Sequence, residues 1–254
     1  MEITDKTAVV VGGASGMALA TAHLLHRRGA RVAILDLPGT AGTEAAADIG
    51  GGTTFHPCDV TDAEATEAAL ADAVATLGGL HIAVNTAGGG IARRTLSTSG
   101  PHPLDEFRRV VELNLVATFN LNRLQAAAMA LNQPEDGERG VIINTSSIAA
   151  FEGQIGQVAY SAAKAGIAGM TLTMARDLGS LGIRVDAVAP SLFLTGITSG
   201  IPDDYAAKLT ADAAFPKRMG RPEEFAHLVA AIVENPMLNG GTIRLDAGQR
   251  FAPK

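Results

Sequence analysis

Short runs of β-branched residues alternate with longer alanine-rich segments along the whole chain, and this alternation constrains the fold more than any other feature. Ala8-Val9-Val10-Val11, Arg31 to Leu35, Thr53 to Phe55, Ile82 to Val84, Val141-Ile142-Ile143, Ile183-Arg184-Val185 and Thr242 to Leu245 have the composition of strands. A helix is predicted after the first strand, through about Arg28, and others over Asp62 to Leu77 and Leu104 to Met129. Strands this apolar spare no face for water, so the sheet must be parallel and covered by helices on both sides. The pattern predicts a single α/β domain of Rossmann type, doubly wound, over residues 1–254. No linker rich in Pro, Gly and Ser divides the chain.

Two stretches read as surface loops: Gly88 to Pro103, rich in Gly, Ser and Thr, and the polar segment Asn132 to Gly140. The segment 196–216 is broken by Gly200 and Pro202 yet carries Ile197, Ile201, Leu209 and Phe215. It is expected to be a mobile lid of short helices giving a substrate an apolar cover.

A net charge of −6 argues against general affinity for nucleic acid or anionic membranes. Arg93-Arg94 and Arg108-Arg109 read as solvated faces, with Arg93 or Arg94 a candidate contact for substrate phosphates. Cys58 is the single cysteine, which excludes an intrachain disulfide and a cysteine metal cluster. The six histidines show no metal-ligand spacing, so no metal is expected. No apolar run has transmembrane length, and the short polar start leaves no room for a leader peptide. A cytoplasmic location is the expectation, although a processed organellar protein would read the same.

The first strand runs directly into Gly12-Gly13-Ala14-Ser15-Gly16-Met17-Ala18 and then a helix. A glycine turn there lets the backbone approach a pyrophosphate lying on the helix N-terminus. Asp36 ends the second strand, 20 residues beyond Gly16, where a carboxylate would bond adenosine ribose hydroxyls. It would repel a 2′-phosphate, and Leu37 and Pro38 bring no compensating cation, so NAD is favoured over NADP. Asp59-Val60 and Asn85-Thr86-Ala87-Gly88 end the next two strands, and together these strand ends mark a ligand crevice.

Tyr160 and Lys164 lie one turn apart on a predicted helix, so they share a face. An adjacent ammonium favours the phenolate, and bringing tyrosine from about 10 to near neutrality takes ~4 kcal/mol. Ser147 stands 13 residues upstream, just after a strand, placed to hydrogen-bond a substrate oxygen. Its neighbour Ser146 reads as structural. Asn114 lies inside the long helix Leu104 to Met129, where an amide can bond backbone or water.

The chain resembles the short-chain dehydrogenase/reductase family from end to end, with the Gly12 to Ala18 turn, Asp59, Asn85 to Gly88, Asn114, Ser147, Tyr160 and Lys164 in the family's order and spacing. The resemblance implies a seven-stranded parallel sheet and a homotetramer. It implies Tyr160 as general acid/base, Ser147 polarising the carbonyl, Lys164 lowering the tyrosine pKa and binding nicotinamide ribose, and Asn114 supporting a relay water. It further implies dinucleotide contacts from Gly12, Ser15, Gly16, Met17, Asp36, Asp59, Val60, Asn85, Thr86, Ala87, Gly88, Tyr160, Lys164, Pro190, Phe193 and Thr195. Leu35 to Pro38, Val141 to Ser147, Ala150 to Gln154 and Glu234-Asn235-Pro236 are similar to a subgroup acting on 3-hydroxyacyl-CoA esters and hydroxysteroids. That implies an acyl-CoA substrate and a place in fatty acid metabolism; Gln154 reads either as a substrate contact beside Ser147 and Tyr160 or as a polar loop residue. Val11, Ala18 and Ser191 depart from the wider pattern, which bears on turn geometry rather than on reaction class. The competing readings are a steroid dehydrogenase, an acyl-carrier-protein ketoreductase and, from another class, a silent dinucleotide-binding scaffold.

Overall fold

The computed structural model describes residues 1–195 and 202–253. Seven strands form one parallel sheet: β1 (Thr7–Val11), β2 (Arg31–Asp36), β3 (Thr54–Pro57), β4 (Ile82–Asn85), β7 (Gly140–Thr145), β8 (Ile183–Pro190) and β9 (Thr242–Leu245). Their order is β3-β2-β1-β4-β7-β8-β9. The chain begins in the middle, winds outward to β3, then returns to pair β4 with β1 through Val11↔Asn85. That reversal leaves a crevice beyond the carboxyl ends of β1 and β4, because the connections leaving them diverge to opposite sides.

Alternate strand residues feed two cores. Val10, Ile34, Val84 and Ile143 pack with Ala22 and Leu25 of α1 (Gly16–Arg27) and with Phe225 and Val229 of α8 (Pro222–Glu234). Val9, Leu35, Ala83 and Ile142 pack instead with α3 (Ala63–Leu77), α5 (Ala117–Met129) and α6 (Val158–Leu178). The remaining described helices are α2 (Gly42–Ile49), α4 (Leu104–Val111) and α7 (Asp203–Leu209). Helix α3 starts where the Asp62 carboxylate accepts the Ala65 N–H at 3.0 Å and stops at Gly78 in the left-handed region.

Three expectations need amendment. The predicted helix Leu104 to Met129 is not regular: residues Glu112–Val116 form a π turn between α4 and α5. β8 extends five residues beyond Val185, past the buried carboxylate of Asp186, whose Oδ1 accepts the Gly241 N–H at 3.0 Å. The loop Gly88 to Pro103 contains a small antiparallel ladder, β5 (Leu96–Ser97) with β6 (Gly100–Pro101). Of the expected lid, Ile197 and Ile201 lie outside the described residues. Within 202–216 Leu209 is half-buried at the end of α7, while Phe215 is 84% exposed and covers nothing in this structure.

Candidate active site

A crevice of about 850 Å³ opens at the switch point between β1 and β4. Its floor at one end is the glycine turn. Gly12 and Gly13 both donate their N–H to the Leu35 carbonyl, at 2.8 and 3.1 Å, and Ala14 N–H reaches Asp36 Oδ2 at 2.9 Å. Thr86 ties the turn to β4, its N–H and hydroxyl both donating to the Val11 carbonyl, at 3.0 and 2.8 Å. These bonds brace the turn without a hydroxyl at position 11. A Cβ on Gly12, whose φ is +81°, would stand 2.7 Å from Thr86 Oγ1, so only glycine fits this approach.

Ser15, Gly16, Met17, Asp36, Asp59 and Val60 line the same end of the crevice. Thr86, Ala87, Gly88, Pro190, Phe193 and Thr195 line the wall between it and the reacting groups. Asp36 also accepts the Leu37 N–H at 2.8 Å through Oδ1, which fixes its carboxylate at the rim. A glycine turn leading into the N-terminus of α1, a fixed carboxylate beyond it and a long crevice suit a dinucleotide.

Tyr160 and Lys164 stand one turn apart on α6 at the other end, facing Ser147 at the end of β7. The Ser147 hydroxyl stands on the same side of the crevice as Tyr160 and favours its phenolate. Ser147 Oγ also accepts the Ala149 N–H at 3.1 Å, which orients it. Lys164 Nζ donates to the Thr145 carbonyl at 2.7 Å and lies 5.6 Å from the centre of the Tyr160 ring. Ser146 donates to the Lys164 carbonyl at 2.8 Å, pinning α6 to β7 in the structural role its position suggested.

A family profile described as short chain dehydrogenase matches residues 6–206. The chain belongs to the short-chain dehydrogenases. It is 49% identical to the human 3-hydroxyacyl-CoA dehydrogenase type-2 over 254 residues, covering 99% of this chain and 97% of that one. The crystal structure of 3-hydroxyacyl-CoA dehydrogenase type-2 from Mycobacterium avium superposes with a TM-score of 0.94 at 42% identity, over the whole of both chains. A 7α-hydroxysteroid dehydrogenase, complexed with NADH and 7-oxo glycochenodeoxycholic acid, has a TM-score of 0.88 at 27% identity, with 100% and 98% coverage. The protein is an oxidoreductase acting on CH–OH groups with a nicotinamide dinucleotide.

In this short-chain dehydrogenase, burial governs both reacting groups. It pushes the Tyr160 phenol up from its ordinary value, and the Ser147 hydrogen bond pulls the other way. Burial lowers the Lys164 ammonium to about 8. Each shift disfavours the charged form, so the phenol stays neutral, while Lys164 still carries its charge near pH 7. Burial therefore leads the Tyr160 shift, in the direction opposite to the expected depression by Lys164.

Asn114 reaches the site through the backbone. Its Nδ2 donates to the Gly89 and Val110 carbonyls at 2.7 and 2.8 Å, and Oδ1 accepts the Gly89 N–H at 3.2 Å. Gly88 fits between Asn114 and Lys164: a Cβ there would stand 2.6 Å from Asn114 Oδ1 and 3.3 Å from Lys164 Nζ. Both amide hydrogens of Asn114 are committed to carbonyls, so its side chain braces the loop facing the ammonium.

Two expected contacts lie elsewhere. The buried Asn85 side chain points away from the crevice toward α5, on the same face as Ala83. Its amide bonds Asn122 and Asn144 at 3.0 Å and exchanges two bonds with Gln125 at 2.8 and 2.9 Å. Strand alternation dictates that direction, since residues two apart share a face. Gln154 lines a separate groove of about 480 Å³ with Arg94, Ile155 and Val158, not the wall beside Ser147 and Tyr160. Gln157 lines the crevice instead, and its Oε1 accepts the Gln154 N–H at 2.9 Å. The sequence held a signal for Gln157, three residues before Tyr160 at the start of α6, where a side chain can lean toward the same opening.

Proposed function

We propose that the protein interconverts 3-hydroxyacyl-CoA and 3-ketoacyl-CoA esters with NAD as the cofactor. The observation that carries this reading is the convergence of Ser147, Tyr160 and Lys164 on one end of a crevice whose other end carries the glycine turn and Asp36. The similarity to dehydrogenases named for 3-hydroxyacyl-CoA, over nearly the whole chain, supports the substrate. The intact reacting groups count against a silent scaffold.

The dinucleotide supplies hydride transfer when bound. Tyr160 exchanges a proton with the substrate oxygen, and Ser147 donates a hydrogen bond to that same oxygen, stabilising the charge that develops there. Lys164, when protonated, favours the Tyr160 phenolate in the alcohol-oxidising direction. Asn114 holds Gly88 and Gly89 against Lys164 and so keeps the ammonium in place. Ser15, Gly16 and Met17 hold the pyrophosphate side, while Asp36 accepts ribose hydroxyls and repels a 2′-phosphate. The substrate's acyl part lies toward 202–216, the segment read as its apolar cover.

The same reading places the protein in fatty acid metabolism, in the cytoplasm and as a homotetramer. Val116, Phe119 and Leu172, exposed on the α5 and α6 side, supply apolar area for such an assembly. No described helix is long and apolar enough to cross a membrane. A steroid substrate is the second reading, supported by the likeness to the 7α-hydroxysteroid dehydrogenase. The test is kcat/KM for acetoacetyl-CoA beside representative ketosteroids at fixed NADH. Preference for acetoacetyl-CoA is expected. Turnover of a steroid alone would overturn the acyl-CoA assignment and leave the dehydrogenase standing.

A further inference from the structure

The loop that begins at Ser147 and the segment 202–216 come from different parts of the chain, and one guanidinium joins them through the chain that follows β9. After Ser147 the chain makes a tight turn in which Phe151 and Glu152 both donate their N–H to the Ile148 carbonyl at 3.0 Å. This turn presents the Glu152 carboxylate to Arg244 of β9. Arg244 grips it with two parallel bonds, Nη1 to Oε1 at 2.9 Å and Nη2 to Oε2 at 3.0 Å. The guanidinium also lies 5.3 Å from the centre of the Phe151 ring.

The other side of Arg244 holds the chain that follows β9. Nε donates to Asp246 Oδ2 at 2.7 Å and Nη2 to the Gln249 carbonyl at 3.1 Å. Four of the five N–H donors of the fork are thus spoken for. Between those anchors Ala247 sits at φ 54°, a conformation residues with a Cβ rarely adopt. Its carbonyl accepts the Ala214 and Phe215 N–H groups at 2.9 and 3.2 Å. Buried Gln249 donates Nε2 to the Leu209 carbonyl, at the end of α7, at 2.8 Å. Arg250 adds a more exposed bridge to Asp246 and Glu152, at 3.0 and 3.4 Å.

We propose that Arg244 is a positioning residue for the reaction, setting the 202–216 segment and the Ser147 loop in one fixed relation across the substrate side of the crevice. It touches neither the reacting groups nor the cofactor turn at Gly12 to Met17. Its loss therefore relaxes the substrate side and leaves dinucleotide binding intact. The geometry asks for a planar fork, because Lys offers one point charge and cannot span both Glu152 oxygens and Asp246 together. The inference rests on the reading of 202–216 as the substrate's cover.

The test compares Arg244→Met, Arg244→Lys and Glu152→Gln with wild type. In Arg244→Met the KM for acetoacetyl-CoA is expected to rise roughly tenfold with kcat changed far less, the pattern of lost uniform binding. The NADH dissociation constant should stay within about twofold. Arg244→Lys and Glu152→Gln should fall between, each keeping part of the pair. Hydrogen exchange gives a readout independent of turnover: the Ala214 and Phe215 amides should exchange faster in Arg244→Met, and the α1 amides should not. An unchanged KM with unchanged exchange at Ala214 and Phe215 would overturn the proposal. So would parallel loss of NADH binding, which marks a merely structural role. Wild-type protein inactive on every CoA ester would sink the substrate reading instead, and the exchange measurement would still decide the coupling.

Discussion

Lys164→Met should abolish turnover and make the cofactor-free protein more stable. The ammonium is buried beneath the crevice, and burial lowers its pKa from the ordinary 10.5 to about 8. That difference corresponds to about 3 kcal/mol by which the folded state disfavours the charged side chain, at 1.36 kcal/mol per pKa unit. Methionine fills similar space without a charge but gives up the bond to the Thr145 carbonyl, worth about 1 kcal/mol. The net gain near pH 7 is therefore about 2 kcal/mol, or ~4–8 °C in Tm for a domain of this size. The pH dependence has a definite sign. Between pH 8 and about 10.4 the unfolded lysine binds a proton that the folded one has released, so wild-type stability gains from Lys164 as pH rises through that window. The penalty is complete below pH 8 and absent above the unfolded pKa. Scanning calorimetry at pH 7 and pH 9.5 should show the variant's advantage shrinking at the higher pH. A variant less stable than wild type at pH 7, or an advantage independent of pH, would refute the reasoning.

Tyr160→Phe keeps the ring and removes the transferable proton, so turnover should fall by ~10²–10⁴. Its NADH affinity, read by fluorescence titration, should survive, and near-normal turnover would remove Tyr160 from the mechanism. Asp36→Ala should narrow the preference for NAD over NADP, measured as the ratio of the two kcat/KM values. Equal use of both cofactors by wild type would remove Asp36 from cofactor choice.

The parts of the site legible in the sequence are those set by short-range rules. A strand running into Gly12-Gly13 fixes where a backbone can approach a ligand, and a four-residue helical spacing puts Tyr160 and Lys164 on one face. The parts that were not legible depend on direction or on distant partners. Asn85 sits beside a crevice residue, yet strand alternation turns it into the amide cluster with Asn122, Gln125 and Asn144. The strand signal Ile183-Arg184-Val185 stops short of Asp186; only the distant Gly241 N–H reveals that a carboxylate is accommodated within β8. Arg244, Glu152 and Asp246 look in sequence like surface charges near turns. Their pairing spans 92 residues of chain between Glu152 and Arg244, and no local pattern announces it.

The π turn at Glu112–Val116 shows why the long helix is irregular where the chemistry needs it. An α-helix passing the Gly88–Gly89 loop would keep its carbonyls within its own ladder, with no call for a side-chain donor. Widening to the π register loosens that ladder, and Asn114 Nδ2 takes up the Val110 carbonyl at 2.8 Å. Thr118 Oγ1 likewise donates to the Asn114 carbonyl at 2.6 Å. The same Asn114 amide then reaches across to Gly89, and its Oδ1 meets the space that Gly88 leaves beside Lys164. One amide thus ties the helix to the loop and shapes the floor under the ammonium. Alanine at 114 would leave both the Val110 and Gly89 carbonyls without this donor, so the cost would fall on helix and site together. Composition alone cannot show this, because Asn114 sits in a segment whose apolar spacing reads as an uninterrupted helix.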